Sequence, residues 1–329
     1  MCGIVGVSGE FSRELFLSSV QEIKHRGPDD DGVYFSDSND IGLGHTRLSI
    51  IDLSQLGHQP MFSDDDSSCL IFNGEIYNYK ELRKELEIKG YSFKSNSDTE
   101  VVLKMLQEYG IKCLKDFNGI FSLAYYDIKN NDLFIARDGL GIKPLYYYSE
   151  SNSFYFSSEI KAIHHLIEDK LKIDIESLQK YLTFLWCPGE GTPALDLKKV
   201  LPGEYIYIKN SKIIEKKSWF ELPQSKNKRS NLNKKNIIKQ VKQTLFESVE
   251  RQMMSDVPLG AFLSGGLDSS SIVAMAKKIS PNIRCYTIDA IGGTDDFAED
   301  LPYAKKVANH LDVDLEIVKV DPDDLAKDL

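Results

Sequence analysis

Apolar residues change their spacing along this chain, and each change predicts an element. Ile4, Val5 and Val7 form an opening apolar run that reads as a buried strand. Over residues 12–24, Leu15, Phe16, Val20 and Ile23 recur at helical spacing behind Ser12 as N-cap. The helix stops at His25-Arg26-Gly27-Pro28-Asp29, where Gly, Pro and short polar residues force a loop. Short strands are expected at 33–35 and 41–44, and 45–51 reads as a buried strand with Arg47 at its mouth. A strand at 69–72 meets Asn73-Gly74, and helices follow at 78–89 and 98–109, the second capped by Ser97 or Asp98. From Gly119 the period becomes two, giving strands at 121–128, 133–138, 144–148 and 153–157 with a turn at Asn130-Asn131. Helices at 159–167 and 175–184, the latter capped by Asp174, precede a Pro- and Gly-rich crossing loop at 186–201 and a hairpin about Asn210. Many hairpin strands with helices between them predict two packed sheets with helices outside, an α+β sandwich.

Apolar content then falls over 221–233, where Lys, Asn and Ser dominate. This predicts a linker between a domain of residues 1–220 and a second of residues 234–329. In the second, a helix to about residue 254 sets Ile238, Val241, Leu245, Val249 and Met253 on one face. A buried strand at 257–263, a loop at 264–270 and a helix at 271–278 come next, followed by a strand at 284–290, a helix at 301–310 and a strand at 315–320. That succession is the opening of a doubly wound α/β domain with parallel pairing.

Charge narrows the function classes. The 329 residues hold 40 Lys and Arg against 50 Asp and Glu, a net charge of −10, which excludes the basic field of a nucleic-acid binder. The one basic run, from Lys226-Asn227-Lys228-Arg229 to Lys234-Lys235, is interleaved with Asn and Ser and reads as solvated linker. No apolar run reaches the roughly 18 residues of a membrane span and the start has no signal pattern, so no membrane partner and a cytoplasmic location are expected. The 5 cysteines are scattered, which fits free thiols in a reducing compartment and no structural zinc.

Several residues invite chemistry, each beside a plainer reading. Cys2 stands directly behind Met1. Removal of Met1 would leave a thiol and an α-amine on one residue, and such an amine titrates at roughly 7.7–8.0, so it can take the thiol proton. On position alone, a small packing cysteine is favoured. Arg47 is either a surface ion-pair residue or a planar fork for a carboxylate. Asn73-Gly74 is first a hairpin signal, and second a side-chain amide and a backbone N–H that could converge on an oxyanion. Asp98 either caps its helix or meets a ligand ammonium. Ser264-Gly265-Gly266-Leu267-Asp268-Ser269-Ser270 lies at a strand-to-helix switch, where N–H groups and the helix dipole meet anions. It lacks the Gly-Lys-Ser/Thr end of a Walker A loop, and Asp268 beside a phosphate calls for an intervening Mg²⁺.

Met1-Cys2-Gly3-Ile4-Val5-Gly6, His25-Arg26-Gly27-Pro28-Asp29, Arg47-Leu48-Ser49-Ile50, Asn73-Gly74-Glu75-Ile76-Tyr77-Asn78, Ser97-Asp98-Thr99-Glu100 and Ala136-Arg137-Asp138, in this order, resemble class II glutamine amidotransferase domains. With the Ser264–Ser270 loop behind them, the chain resembles the glutamine-hydrolysing asparagine synthetase family over essentially its whole length. The resemblance implies an αββα sandwich of N-terminal-nucleophile hydrolase type, followed by an incomplete doubly wound nucleotide domain. It implies that Cys2 attacks the glutamine carboxamide and that Asn73 and Gly74 hold the oxyanion. The glutamine pocket would comprise Arg47, Leu48, Ser49, Ile50, Ile51, Asn73, Gly74, Glu75 and Asp98, with Arg47 on the α-carboxylate and Glu75 and Asp98 on the α-ammonium. ATP would be bound by Leu263, Ser264, Gly265, Gly266, Asp268, Ser269, Ser270 and Ile288, with Mg²⁺ near Asp268. ATP would adenylate an acceptor carboxylate, aspartate in this family, and ammonia would displace AMP; a homodimer is the candidate assembly.

Family synthetase domains continue with a second Ser-Gly-Glu-Gly-type loop and a lysine, and nothing similar follows Val320, so a fragment is expected. Residues 324–329 read as the first turn of a further helix. Two readings stand beside the ligase: a glutaminase-only fragment, and an amidotransferase acting on another carboxylate such as one on a surface-polysaccharide sugar. An idle subunit that binds glutamine or ATP is a third.

Overall fold

The computed structural model describes residues 1–167, 171–223, 233–290 and 300–321. Two compact units divide the chain, Met1–Lys226 and Asn227–Leu329. Most of the linker expected at 221–233 and the helix turn expected at 324–329 lie outside the described residues.

The first unit begins with β1 (Gly3–Gly9), α1 (Arg13–Glu22), β2 (Asp30–Phe35), β3 (Ile41–Arg47), β4 (Met61–Phe62) and β5 (Ser68–Ile76). It continues with α2 (Tyr79–Ile88), α3 (Asp98–Tyr109), β6 (Gly119–Asp127), β7 (Asp132–Arg137), β8 (Tyr146–Ser149) and β9 (Ser153–Ser157). Helices α4 (Ile160–Leu166) and α5 (Ile175–Phe184) and strands β10 (Lys198–Lys199), β11 (Glu204–Lys209) and β12 (Lys212–Ser218) complete it. Caps set the helix ends as their sequences require. Ser12 Oγ accepts the Leu15 N–H at 3.4 Å, and Asp174 accepts the Glu176 N–H at 3.1 Å.

The strands form two antiparallel sheets, ordered β10-β8-β9-β1-β3-β2 and β12-β11-β7-β6-β5-β4. Ile4, Leu43, Phe154 and Phe156 of the first sheet meet Ile71, Ala124, Ile135 and Ile206 of the second in one buried cluster. Val5 and Val7 point the other way, onto Phe16 and Val20 of α1 and Ile163 of α4. Strand β1 is therefore buried on both faces, which is why its sequence is a continuous apolar run instead of an alternation. Helices α2 and α3 pack together, with α3 against β5. The layers run helix, sheet, sheet, helix.

Two expectations fail here for long-range reasons. Asn73-Gly74 makes no hairpin: β5 runs straight through it, pairing Asn73 with Ser122, Gly74 with Phe121 and Ile76 with Gly119 of β6. Gly74 serves close approach instead, because a Cβ there would lie 2.5 Å from the Ile120 carbonyl oxygen. The strand expected at 45–51 ends at Arg47, and Leu48 turns out of the sheet to bond the Cys2 thiol.

The second unit comprises α6 (Lys234–Gln252), β13 (Gly260–Phe262), α7 (Leu267–Ile279), β14 (Arg284–Ala290), α8 (Asp300–Leu311) and β15 (Asp314–Val320). Its three strands pair in parallel in the order β13-β14-β15. Leu263, Val273 of α7, Cys285 of β14 and Ala304 and Ala308 of α8 share one core, so both helices cover the same sheet face. The opposite face is open, with Phe262 76% and Ile288 56% exposed. The buried strand expected at 257–263 is thus shorter and only half covered. Helix α7 starts at Leu267, which moves Asp268, Ser269 and Ser270 from the expected loop into its first turn.

Candidate functional site

Cys2 stands where the doubly buried β1 begins. Its thiol donates to the Leu48 carbonyl at 3.6 Å and accepts the Leu48 N–H at 3.4 Å. Its carbonyl accepts Arg26 Nε at 3.0 Å, and Arg26 in turn bonds Glu159 at 2.8 Å. Burial pushes the thiol pKa up, opposed by the Leu48 N–H and the nearby terminal ammonium. Burial also lowers the pKa of the Met1 α-ammonium, with the charges of Lys143 and Arg26 lowering it further.

One cleft gathers Cys2, Arg47, Leu48, Ile50, Ile51, Gln59, Phe72, Gly74, Glu75, Asp98 and Thr99. Eight of the expected residues are in this wall. Ser49 is not; its N–H bonds Asp29 of the His25–Asp29 segment at 2.8 Å. Asn73 is also outside the wall, buried just behind it at 1% exposure. Its Nδ2 donates to Ser122 Oγ at 3.4 Å while its Oδ1 has no hydrogen-bond partner among the described residues. A half-turn of the amide would let Ser122 donate to Oδ1 and would free Nδ2 as a donor.

Arg47 is 6% exposed and held by backbone oxygens. Nη1 donates to Ser54 at 2.9 Å, Nη2 to Ile51 at 3.4 Å and also to Asp52. Asp98 accepts the Ile76 N–H at 2.9 Å, so its carboxylate ties α3 to β5; its helix neighbour Ser97 supplies no side-chain cap bond. Burial pushes Asp98 above the ordinary carboxylate range, with backbone N–H bonds pulling it back. Glu75 is pushed up by burial and by the charge of Asp98, with Lys143 pulling it down. Asp98 is buried and Glu75 half-buried, and both hold a proton more tightly than an ordinary carboxylate.

Sequence reasoning missed Gln59, Phe72, Thr99 and Lys143. Gln59 docks on β5 through both ends of its amide, to the Phe72 carbonyl at 3.3 Å and the Phe72 N–H at 2.6 Å. Lys143 is 8% exposed, and burial lowers its pKa against the pull of Glu75 and Cys2. Its loop is built by Arg137-Asp138. The Asp138 carboxylate accepts N–H groups of Phe121, Leu140, Ile142 and Lys143 at 3.0–3.2 Å. Arg137 donates to the carbonyls of Gly141, Lys143 and Val200, each at 2.7 Å. The Ala136-Arg137-Asp138 motif was the one available signal for this loop.

In the second unit a cavity of about 300 Å³ is lined by Phe262, Leu263, Ser264, Tyr286, Thr287, Ile288 and Asp300. Leu263, Ser264 and Ile288 were expected; Phe262, Tyr286, Thr287 and Asp300 were not, although the period of β14 puts Tyr286 beside Ile288 on one face. Gly265, Gly266, Asp268, Ser269 and Ser270 lie outside that wall, at the turn into α7. Gly265 has φ +83°, and a Cβ there would lie 2.4 Å from the Tyr303 backbone, so the turn needs glycine. Ser264 and Ser269 hydroxyls meet at 3.0 Å, and the buried Ser270 hydroxyl has no partner among the described residues. Asp268 is exposed, and the described residues hold no cluster of three or more His, Cys, Asp or Glu arranged for a metal. No helix among them is long and apolar enough to cross a membrane.

Comparison with known proteins bears on the family and the fold. The glutamine amidotransferase domain family matches residues 1–220 and the asparagine synthase family residues 240–329. Asparagine synthetase [glutamine-hydrolyzing] 1 of Bacillus subtilis is 37% identical over 336 residues, covering 100% of this chain and 52% of its own length. A putative asparagine synthetase [glutamine-hydrolyzing] 2 of Methanocaldococcus jannaschii is 35% identical, covering 94% of this chain and 63% of its own. The chain thus spans between about half and two thirds of the relatives it matches. Among solved structures, glutamine phosphoribosylpyrophosphate amidotransferase from Bacillus subtilis, complexed with ADP and GMP, shares the fold. Its TM-score is 0.50 at 17% identity, covering 96% of this chain and 65% of that one. Sandwich, terminal cysteine and matched segments converge: the chain belongs to the glutamine amidotransferase domain family, with an asparagine synthase segment behind it.

Proposed function

We propose that this chain carries the glutamine-hydrolysing half and the opening of the ATP-using half of an asparagine-synthetase-type amide ligase. The observation that carries the reading is the single cleft in which Cys2 meets Arg47, Glu75 and Asp98. A cationic fork and two acidic groups in one cleft with a thiol suit an α-amino acid whose side-chain amide reaches the sulfur.

In this reading Met1 is removed and the Cys2 α-amine takes the thiol proton. Sulfur attacks the glutamine amide carbon, and the Asn73 amide and Gly74 N–H stabilise the oxyanion. The C–N bond breaks as the amine returns a proton to the leaving ammonia, and water then cleaves the thioester to glutamate. Arg47 holds the substrate carboxylate; Glu75 and Asp98 hold its ammonium. Leu48, Ser49, Ile50 and Ile51 form the loop beside the thiol.

The second half is read from residues 234–329, after a linker at 221–233 and a glutaminase domain at 1–220. Leu263 and Ile288 would flank the base of ATP, and Ser264, Gly265, Gly266, Ser269 and Ser270 would present donors to its phosphates. The Ser270 hydroxyl, without a partner among the described residues, and the turn at Gly265 fit such an anion. Asp268, in the first turn of α7, is the carboxylate that would hold Mg²⁺, which would neutralise phosphate charge. An acceptor carboxylate, aspartate by family, takes the adenylyl group with release of pyrophosphate, and ammonia displaces AMP. A cytoplasmic location and a homodimer complete the proposal.

Ammonia release from glutamine by the purified chain, with its N-terminus read by mass spectrometry, tests the first half. Release should be lost in Cys2→Ala; equal release by the variant overturns the nucleophile. Pyrophosphate released from ATP only when aspartate is added supports the second half, and its absence with every carboxylate tried leaves a glutaminase.

A further inference from the structure

Gly57 is buried and ends a short turn, residues 55–57, directly against the tip of Arg47. A Cβ built on Gly57 would lie 2.0 Å from Nη2, 2.5 Å from Cζ and 3.0 Å from Nη1 of Arg47, and these guanidinium atoms are its three nearest neighbours. Its backbone is not in the left-handed region, so conformation alone does not demand glycine there. The other side of the guanidinium is closed by carbonyl oxygens. Ser54 O accepts Nη1 at 2.9 Å and also the Gly57 N–H at 3.3 Å, so one oxygen joins the fork to the turn. Asp52 fixes these carbonyls from behind, accepting the Ser54 N–H at 3.0 Å and the Asn96 N–H at 2.8 Å.

Resting on the glutamine reading of the cleft, we propose that Gly57 is a positioning residue for substrate selection: its missing side chain is the seat in which the Arg47 fork lies flat beside the cleft. A comparison among glycines sharpens the point. At Gly27 and Gly74 an added Cβ would strike backbone, at 2.3 Å from the Thr46 carbonyl carbon and 2.5 Å from the Ile120 oxygen, so those substitutions attack the sheets. At Gly57 its three nearest neighbours all belong to the far end of one side chain, which can move at the cost of its carbonyl bonds. Gly57→Ala should therefore fold and lose the fork's position, which separates recognition of the α-carboxylate from the chemistry at Cys2.

The test uses the full processed chain and two amides, glutamine and 4-aminobutanamide, which is glutamine without its α-carboxylate. Gly57→Ala should raise KM for glutamine about 10- to 100-fold, the loss expected for one charge-assisted pair, while kcat changes less than about threefold. Relative to the unsubstituted protein, kcat/KM for 4-aminobutanamide should stay within about threefold. Unchanged kinetics on glutamine, or an equal loss on both amides, overturns the proposal. A crystal structure of Gly57→Ala reads the seat without catalysis: a displaced guanidinium is expected, and an Arg47 left in place overturns the proposal. That result is independent of whether the chain hydrolyses glutamine, so failure of the functional reading and failure of the seat are distinguishable.

Discussion

The Ser264–Ser270 turn is the more specific motif and Cys2 the weaker one on position alone, yet the Cys2 cleft is the more deeply built of the two sites. The cleft draws residues from β3, β5, α3, Cys2 just ahead of β1 and the loop after β3, and it sits beside strands buried on both faces. The turn rests on a three-stranded sheet covered by helices on one face, with Phe262 and Ile288 exposed on the other. Enclosure is what raises the pKa values of Glu75 and Asp98, and Asn73 Oδ1 has no partner among the described residues. A phosphate site needs less enclosure, because backbone N–H groups and a helix start supply its field.

The comparison can be broken most sharply at the thiol. Cys2→Ala should lower glutamine hydrolysis by roughly 10⁴-fold or more while leaving nucleotide binding intact, as read by ammonia release and by nucleotide titration. Next in size is the oxyanion donor. Asn73→Ala should cost about 100- to 1,000-fold in kcat with little change in KM. Ser122→Ala, which frees the amide without removing it, should cost less than Asn73→Ala but still lower kcat, and an unchanged kcat would contradict the orienting role of Ser122. Packing comes third. Phe156→Ala, fully buried between the sheets, should destabilise the first unit by about 3–5 kcal/mol in urea titration. Phe262→Ala, on the open face, should stay within about 0.5 kcal/mol.

The smallest effect is a pH slope. Glu75 has a folded-state pKa raised above its ordinary 4.5, so the empty folded cleft binds more protons than the unfolded chain. By linkage, its contribution to stability falls as pH rises from about 4.5 through the raised value. Glu75→Gln should remove that loss and stabilise the fold on the alkaline side. An ammonium seated beside Glu75 needs the ionised form, so KM for glutamine should fall as pH rises through the same window. Glu75→Gln should flatten that fall while raising KM throughout, as initial rates across the pH range would show.

Much of this was legible in local sequence, and what was not has physical causes. Strand periods, the Ser12 and Asp174 caps and the limits of α3 are local and came through. The residues expected to form the glutamine pocket were named individually, and most line one cleft. Asn73-Gly74 misled because a hairpin preference of the dipeptide is weaker than the full register of β5 on β6. Residues 48–51 read as strand because Leu48, Ile50 and Ile51 are apolar, but these three line the cleft and Leu48 bonds the thiol. Lys143 escaped notice because its importance lies in proximity to Cys2 and Glu75, which no local pattern encodes.

Arg137 and Asp138 leave one further consequence. Between them they occupy the backbone groups of a loop that has no regular secondary structure. Amide hydrogen exchange at Leu140, Ile142 and Lys143 should accordingly be as slow as in a sheet, because each N–H is engaged by a buried carboxylate instead of a neighbouring strand. An exchange map would then show the segment carrying Lys143 opening only together with β6 and β7, as one cooperative unit, and the lysine would keep its place beside the thiol for as long as the sandwich itself stays closed.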